Sequence, residues 1–291
     1  MSAQITEAER AVELEAYGRL DKLLTSLIPP EVQWSADINL KLERIAMLAY
    51  ILGHPESAYP TVHIGGTSGK GTVAAMTAAI LTAHGSRVGL HVSPYVELIT
   101  ETWQVDGKYL RPQRVLDTLR TVLEASAPIG DALPKFGAPS YFETKVATAF
   151  ELFRQEKVDY GVIEVGLGGA LDATNVLGPG VQVLTNVGLD HVDRLGDTVE
   201  KIATDKVQIF KPDSLVVSGV EQPSVKEIVR RQAAEVGARV YILDDDVRVG
   251  RPAPRYILLR FRGRSMGIRL PSGWPRYQQR NAALAAVAAQ L

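Results

Sequence analysis

Hydrophobic positions along the chain change period at residue 60. Before it, apolar residues Leu40, Leu42, Ile45, Leu48 and Leu52 of LKLERIAMLAYILGH fall near helical spacing, and a break is expected at Pro29 and Pro30. After Pro60 the run TVHIGG reads as a short buried strand. It passes through a glycine-rich turn into the alanine-rich helix GTVAAMTAAILTAHG, and RVGLHVS follows as a second strand. Strand, crossover helix and strand within about thirty residues predict a βαβ unit and hence a parallel sheet. The alternation then continues less regularly. A hairpin is expected over residues 101–110 around Asp106 and Gly107, a surface helix from Pro112 and a loop over 130–140. YFETKVATAFELFRQEKV reads as helix, YGVIEVG and VQVLTNVG as strands, DTVEKIATDKVQIFK as helix, SLVVSG as strand, SVKEIVRRQAAEVG as helix and VYIL as strand. The pattern predicts an α/β fold: an open, mostly parallel sheet with helices on both faces and a short helical lead-in.

Composition narrows the chemistry. With 291 residues the length alone allows about two domains. There is no cysteine, which removes disulfides, thiolate metal sites and cysteine nucleophiles and fits a reducing compartment. The acidic start MSAQITEAERAVELEAY lacks the order of a signal peptide, and no apolar run is long enough for a membrane span, so a cytoplasmic protein without membrane partners is expected. The net charge of -1 conceals a local bias: residues 247–291 carry nine arginines and no lysine, aspartate or glutamate. YILLRFRGRSMGIRLP alternates like a strand pair, so the arginines read first as tips on the wet side of an edge hairpin. Contact with a phosphorylated or carboxylated ligand comes second, and nucleic acid last, because no recognition motif accompanies the charge.

The sharpest local signal is GGTSGKGT, residues 65–72, where a strand gives way to a helix. Glycines let backbone amides and a helix N-terminus approach a phosphate, and Lys70 adds a mobile positive charge. The match to the strict phosphate-loop pattern is incomplete, because Gly71 separates Lys70 from Thr72. Other polar residues stand where strands stop: Ser93 after RVGLHV, Glu164 after YGVI, and His191 beside Asp190 in GLDH. A hydroxyl and a carboxylate there can hold magnesium beside phosphates, or cap turns.

Taken in order, GTSGKGT, VSPY, YFETKVATAF, EVGLGGALDATN, GLDH with LGDTVEKIA, and YQQRNAALA resemble the folylpolyglutamate synthase and dihydrofolate synthase family, a branch of the Mur ligase superfamily. The resemblance implies a P-loop NTPase-like Mur ligase central domain. It also implies a ligase that uses ATP and Mg2+ to join L-glutamate to a folate or pteroate through an acyl phosphate. On the same basis Gly66, Thr67, Ser68, Gly69, Lys70, Gly71 and Thr72 hold the nucleotide phosphates and Asn281 positions ATP. Ser93 and Glu164 coordinate one magnesium, and His191 coordinates or orients a second. Lys206 stands at the family's carbamylated lysine position, with a structural salt bridge as the alternative. Lys70, Lys206 and His191 form the implied catalytic set. Asp172, Thr174 and Asn175 shape the folate side, and Glu143 reads as supporting architecture.

Four positions depart from the pattern: Val146 replaces the usual threonine after the Phe142–Glu143 pair and Asp205 stands where the family frequently has glutamate or another polar residue, while Tyr95 stands where it often has histidine and Thr102 where it has arginine after Glu101. The last two bear on substrate identity more than on ATP use. The expected organisation is a lead-in over residues 1–39 and an ATP-binding domain over 40–291, with the family's C-terminal ligase domain absent or supplied by a separate partner. A noncatalytic ATP-binding module and a Mur ligase-like enzyme with another carboxylate substrate stay open as alternatives.

Overall fold

A computed structural model describes residues 6–28, 41–132, 137–253 and 255–291. The break at Pro29 and Pro30 and the boundary at residue 40 lie outside the described residues. Helix α1 (Glu7–Thr25) starts where Thr6 accepts from the Glu9 amide and the Glu9 carboxylate accepts from the Thr6 amide at 2.8 Å. Helix α2 (Lys41–Ile51) completes the lead-in. The alternating part follows as β1 (Thr61–Gly65), α3 (Lys70–Ala83), β2 (Val88–His91), β3 (Trp103–Val105), β4 (Lys108–Tyr109), α4 (Pro112–Ala132), α5 (Tyr141–Gln155) and β5 (Tyr160–Glu164). Then come β6 (Val181–Leu184), α6 (Val192–Leu195), α7 (Val199–Lys206), β7 (Leu215–Ser218), α8 (Pro223–Val236) and β8 (Arg239–Ile242). The end of the chain adds β9 (Arg248–Ala253), β10 (Tyr256–Phe261), β11 (Arg264–Arg269) and α9 (Arg276–Ala288).

Eight strands form one sheet in the order β4-β3-β2-β5-β1-β6-β7-β8. The six from β2 to β8 pair in parallel, and β3 and β4 close one edge antiparallel. Side-chain alternation divides the core. Val62, Ile64, Leu90, Val162, Val183 and Val217 face α3, α9 and β10. On the opposite face Ile163 and Trp103 pack under α1, α2, α4 and α5, while Leu184 and Val216 pack under α7 and α8. Burial on both faces explains why these strands read as nearly continuous apolar runs.

The expected helices and strands are present, with local differences. The hairpin begins only at Trp103, because Ile99–Thr102 forms a 3-10 turn. Helix α4 continues to Ala132, into the stretch expected as loop, and α7 ends at Lys206, where a 3-10 turn over Val207–Ile209 takes its place. Strand β9 escapes the hydrophobic pattern because RVGRPA carries glycine and proline. It is an edge strand of the small antiparallel sheet β11-β10-β9, where proline removes no needed donor. The arginines of that sheet, Arg248, Arg260 and Arg269 among them, are exposed. Among the described residues no helix is long and apolar enough to cross a membrane.

Candidate active site

The phosphate loop is the turn between β1 and α3, at the C-terminal edge of the sheet. Its shape depends on two glycines with positive φ, Gly66 (139°) and Gly69 (80°). A Cβ at Gly66 would stand 2.0 Å from Thr185 Oγ1, so no side chain fits there. The loop is fastened to the end of β6: the Thr67 amide donates to the Asn186 carbonyl (3.0 Å), the Ser68 amide to Asn186 Oδ1 (2.9 Å), and Thr185 Oγ1 to the Ser68 carbonyl (2.7 Å). Thr67 Oγ1 also exchanges bonds with the backbone of Gly188. Helix α3 then begins at Lys70, and the first amides of a helix have no partner within it, so they face whatever the loop encloses. A cavity of about 260 Å³ opens beside the loop, between Thr67, Ser68, Asn186, Gly219 and Gln222. Neither Thr185 nor Asn186 was anticipated as part of the site. Their only signal was that polar residues follow the apolar VQVL strand.

Glu164, at the end of the neighbouring strand β5, is buried and accepts from the Ser93 amide at 2.9 Å. Burial raises its pKa, while the Ser93 amide, Lys70 and the Gly71 amide pull the other way. Ser93, Glu164 and the start of α3 are therefore brought together as expected. The Glu164 carboxylate, the Ser93 hydroxyl and the start of α3 fit magnesium, which binds through one or two protein oxygens and completes its shell with phosphate oxygens and water. Among the described residues no three histidine, aspartate or glutamate side chains are grouped to hold a metal alone. His191 starts α6 in the left-handed region (φ 47°), is half exposed, and its Nε2 lies 3.6 Å from Oδ1 of Asp190, whose charge is felt at Lys206.

Lys206 comes up under the loop from the end of α7. It is buried, and its Nζ donates to the Gly66 carbonyl at 3.1 Å. Burial and then Lys70 bring its pKa down to about 8, with Asp190, Asp205 and Asp172 opposing. Asn281 approaches from the far side, within reach of Gly69: a Cβ there would meet Asn281 Oδ1 at 2.9 Å. The preceding residue fixes that position, since Arg280 donates to the Gly219 carbonyl (3.1 Å) and pairs with Asp244, docking α9 on the ends of β7 and β8. Behind β1, Asp172 accepts from the Leu167 and Thr174 amides and from Thr174 Oγ1, which in turn meets His63 Nε2 at 2.8 Å. Burial, then Lys211, holds His63 neutral, with a pKa of about 3. This group organises the loop after β5, and the Asp172 charge is felt at Glu164 and Lys206. Glu143 is structural as expected, forming a twofold bond to Arg44 at 2.9 Å and capping α5 with Ser140.

Residues 64–248 match the Mur ligase middle domain. The chain belongs to the Mur ligase family. Within it, homology runs to the folylpolyglutamate and dihydrofolate synthases. The dihydrofolate synthase/folylpolyglutamate synthase of Mycobacterium tuberculosis is 37% identical over 223 residues, covering 73% of this chain and 46% of that protein. The folylpolyglutamate synthase of Lacticaseibacillus casei is 34% identical over 247 residues, 83% of this chain and 57% of that one. The structure of M. tuberculosis folylpolyglutamate synthase complexed with ADP superposes with a TM-score of 0.84 at 33% identity, over 96% of this chain and 62% of the other. An FPGS-AMPPCP-folate complex gives 0.82 at 31%, over 94% and 66%. The chain thus spans about half the length of the curated relatives it matches. The phosphate loop, the Ser93–Glu164 contact and the Lys206 bond beneath the loop all lie within the matched residues 64–248.

Proposed function

We propose that this chain carries the ATP-binding domain, over residues 40–291, of an ATP-dependent carboxylate–amine ligase of the folylpolyglutamate/dihydrofolate synthase type, acting in the cytoplasm. The observation that carries the reading is the phosphate loop closed between Lys70, Glu164 and Lys206. In this reading the loop from Gly66 to Thr72 holds the phosphates of ATP, Lys70 neutralises their charge, and Asn281 positions the nucleotide against Gly69. Ser93 and Glu164 hold Mg2+, which supplies charge neutralisation at the phosphates, and His191 orients a second ion or its water. Lys206 keeps the loop's carbonyl in place as a donor, or after carbamylation joins the charged group around the phosphates.

The reaction is the one a poor electrophile requires. A carboxylate oxygen of the folate or pteroate takes the γ-phosphoryl group, and ADP leaves. The amine nitrogen of L-glutamate then attacks the acyl carbon, the C–N bond forms as the C–O bond to phosphate breaks, and the amine gives up a proton. The amine and acyl phosphate must be held together for this to be fast, which in a longer protein or complex falls to a second domain. The measurement is ADP release by the chain, alone and with a candidate C-terminal domain added. Release that needs both L-glutamate and folate or pteroate is expected. ATP binding with no such release in either case overturns the ligase reading and leaves a noncatalytic ATP-binding module.

A further inference from the structure

Among the described residues one buried lysine has neither an anion nor a hydrogen-bond acceptor for its ammonium. Lys145 projects from α5 and is buried, yet among the described residues its ammonium makes no hydrogen bond and no ion pair. Three aromatic rings surround it instead. Nζ lies 5.1 Å from the ring centroid of Tyr141, 5.5 Å from that of Tyr95 and 6.0 Å from that of Trp103. The position is fixed from below: Trp103 is wholly buried on β3 and its Nε1 donates to the Lys145 carbonyl at 3.2 Å. Tyr95 is 37% exposed, so the aromatic frame meets solvent on its side. Tyr95 is also two residues beyond Ser93, whose amide holds Glu164, so the frame adjoins the phosphate crevice.

Ring faces attract a cation, but they offset only part of what is lost when an ammonium leaves water without a counter-ion. Among the described residues no negative charge offsets that of Lys145. His91, opposite Trp103 in the β2–β3 pair, is buried, and burial followed by Lys145 itself keeps it neutral against a weak opposing pull from the Thr102 backbone. Burial alone brings Lys145 down to about 8. A charge placed at this cost beside an open edge of the crevice is complementary to an anion that arrives from outside.

We propose that Lys145 is a substrate-binding residue, its ammonium in the frame of Tyr95, Trp103 and Tyr141 taking a carboxylate of the acyl substrate. The inference rests on the ligase reading and adds a determinant of substrate choice to it. Tyr95 and Thr102, the two departures that bear on substrate identity, flank the same place: Tyr95 forms one wall, and Thr102 precedes Trp103 with its hydroxyl buried and unpartnered among the described residues.

The test is calorimetric titration of the chain, saturated with a nonhydrolysable ATP analogue, with folate, pteroate, 4-aminobenzoate and the neutral methyl ester of pteroate. The acids are expected to bind wild type, the ester about tenfold more weakly or worse. Lys145→Met is expected to bring the acids to the level of the ester without affecting the ester, and Lys145→Arg to keep most of the affinity. An unchanged near-UV circular dichroism spectrum checks that each variant is folded, and the acid–ester comparison on wild type needs no variant. Equal binding of acid and ester, or acids binding Lys145→Met as they bind wild type, overturns the inference and leaves the ligase reading standing. If only 4-aminobenzoate binds through Lys145, the folate reading falls and the inference holds. If no acid binds, both fall.

Discussion

Lys206 and Lys145 are both buried, and burial brings both down to about 8. Their surroundings nevertheless differ in kind. Lys206 donates to the Gly66 carbonyl and has Asp190, Asp205 and Asp172 within electrostatic reach. Lys145 has three aromatic rings and no acceptor among the described residues. The first cation is already spent on the protein, holding the phosphate loop in shape, whereas the second is left for a ligand. Burial of a charge is therefore no guide to its role until its partners are counted.

The comparison breaks most severely if the loop that Lys206 supports is distorted. Gly66→Ala forces a Cβ to within 2.0 Å of Thr185 Oγ1 at a φ of 139°, where side chains are rarely tolerated. We expect a loss of about 2–4 kcal/mol in stability, together with loss of ATP binding. Urea denaturation measures the first and calorimetry the second. A variant as stable as wild type would mean that the loop has another resting shape. Lys70→Ala should act mainly on the ligand, since among the described residues its Nζ donates only to the Thr67 carbonyl, at 3.3 Å, beyond its electrostatic influence on Glu164 and Lys206. A fall of about 10–100-fold in ATP affinity at nearly unchanged stability is expected. Affinity within twofold of wild type would remove Lys70 from the phosphate site.

The two lysines also show what a sequence can and cannot reveal. The phosphate loop was legible because its requirements are local: a strand end, glycines where side chains cannot fit, a lysine and a helix start, all within eight residues. Most of the sheet was legible for a similar reason, since strands buried on both faces are continuous apolar runs. Lys145 had no such signature. Within YFETKVATAF a lysine at helical spacing looks like a solvated position, and its burial is decided by Trp103 and Tyr95, which come from elsewhere in the chain. The fastening of the loop by Thr185 and Asn186, and the docking of α9 by Arg280, were hidden in the same way: each polar residue is ordinary until a partner more than thirty residues away is in place. Strand β9 was missed for the opposite reason, because an edge strand needs no apolar run.

The smallest expected effect sharpens the comparison furthest, because it separates the charge of each lysine from its contacts. A lysine lowered to about 8 in the folded chain and near 10.5 when unfolded binds fewer protons in the native state. Stability therefore rises with pH between about 8 and 10.5, and the cost of burying the ammonium is fully present below 8. Tyr141, raised to about 12, acts in the opposite sense above pH 10, so the useful window is pH 8–9.5. Across it each amine should raise stability by about 1.5 kcal/mol, a contribution that Lys145→Met or Lys206→Met should each remove. Urea denaturation at both ends of the window measures it. The variants should part on a second axis: Lys206→Met, which leaves the Gly66 carbonyl without its donor, loses ATP affinity, whereas Lys145→Met loses affinity for the carboxylate substrate. Identical pH dependence in wild type and both variants would show that neither amine is held down by burial. Loss of ATP affinity in both would show that the aromatic frame and the phosphate loop are one site, and the distinction between a cation used by the protein and a cation kept for a ligand would fail.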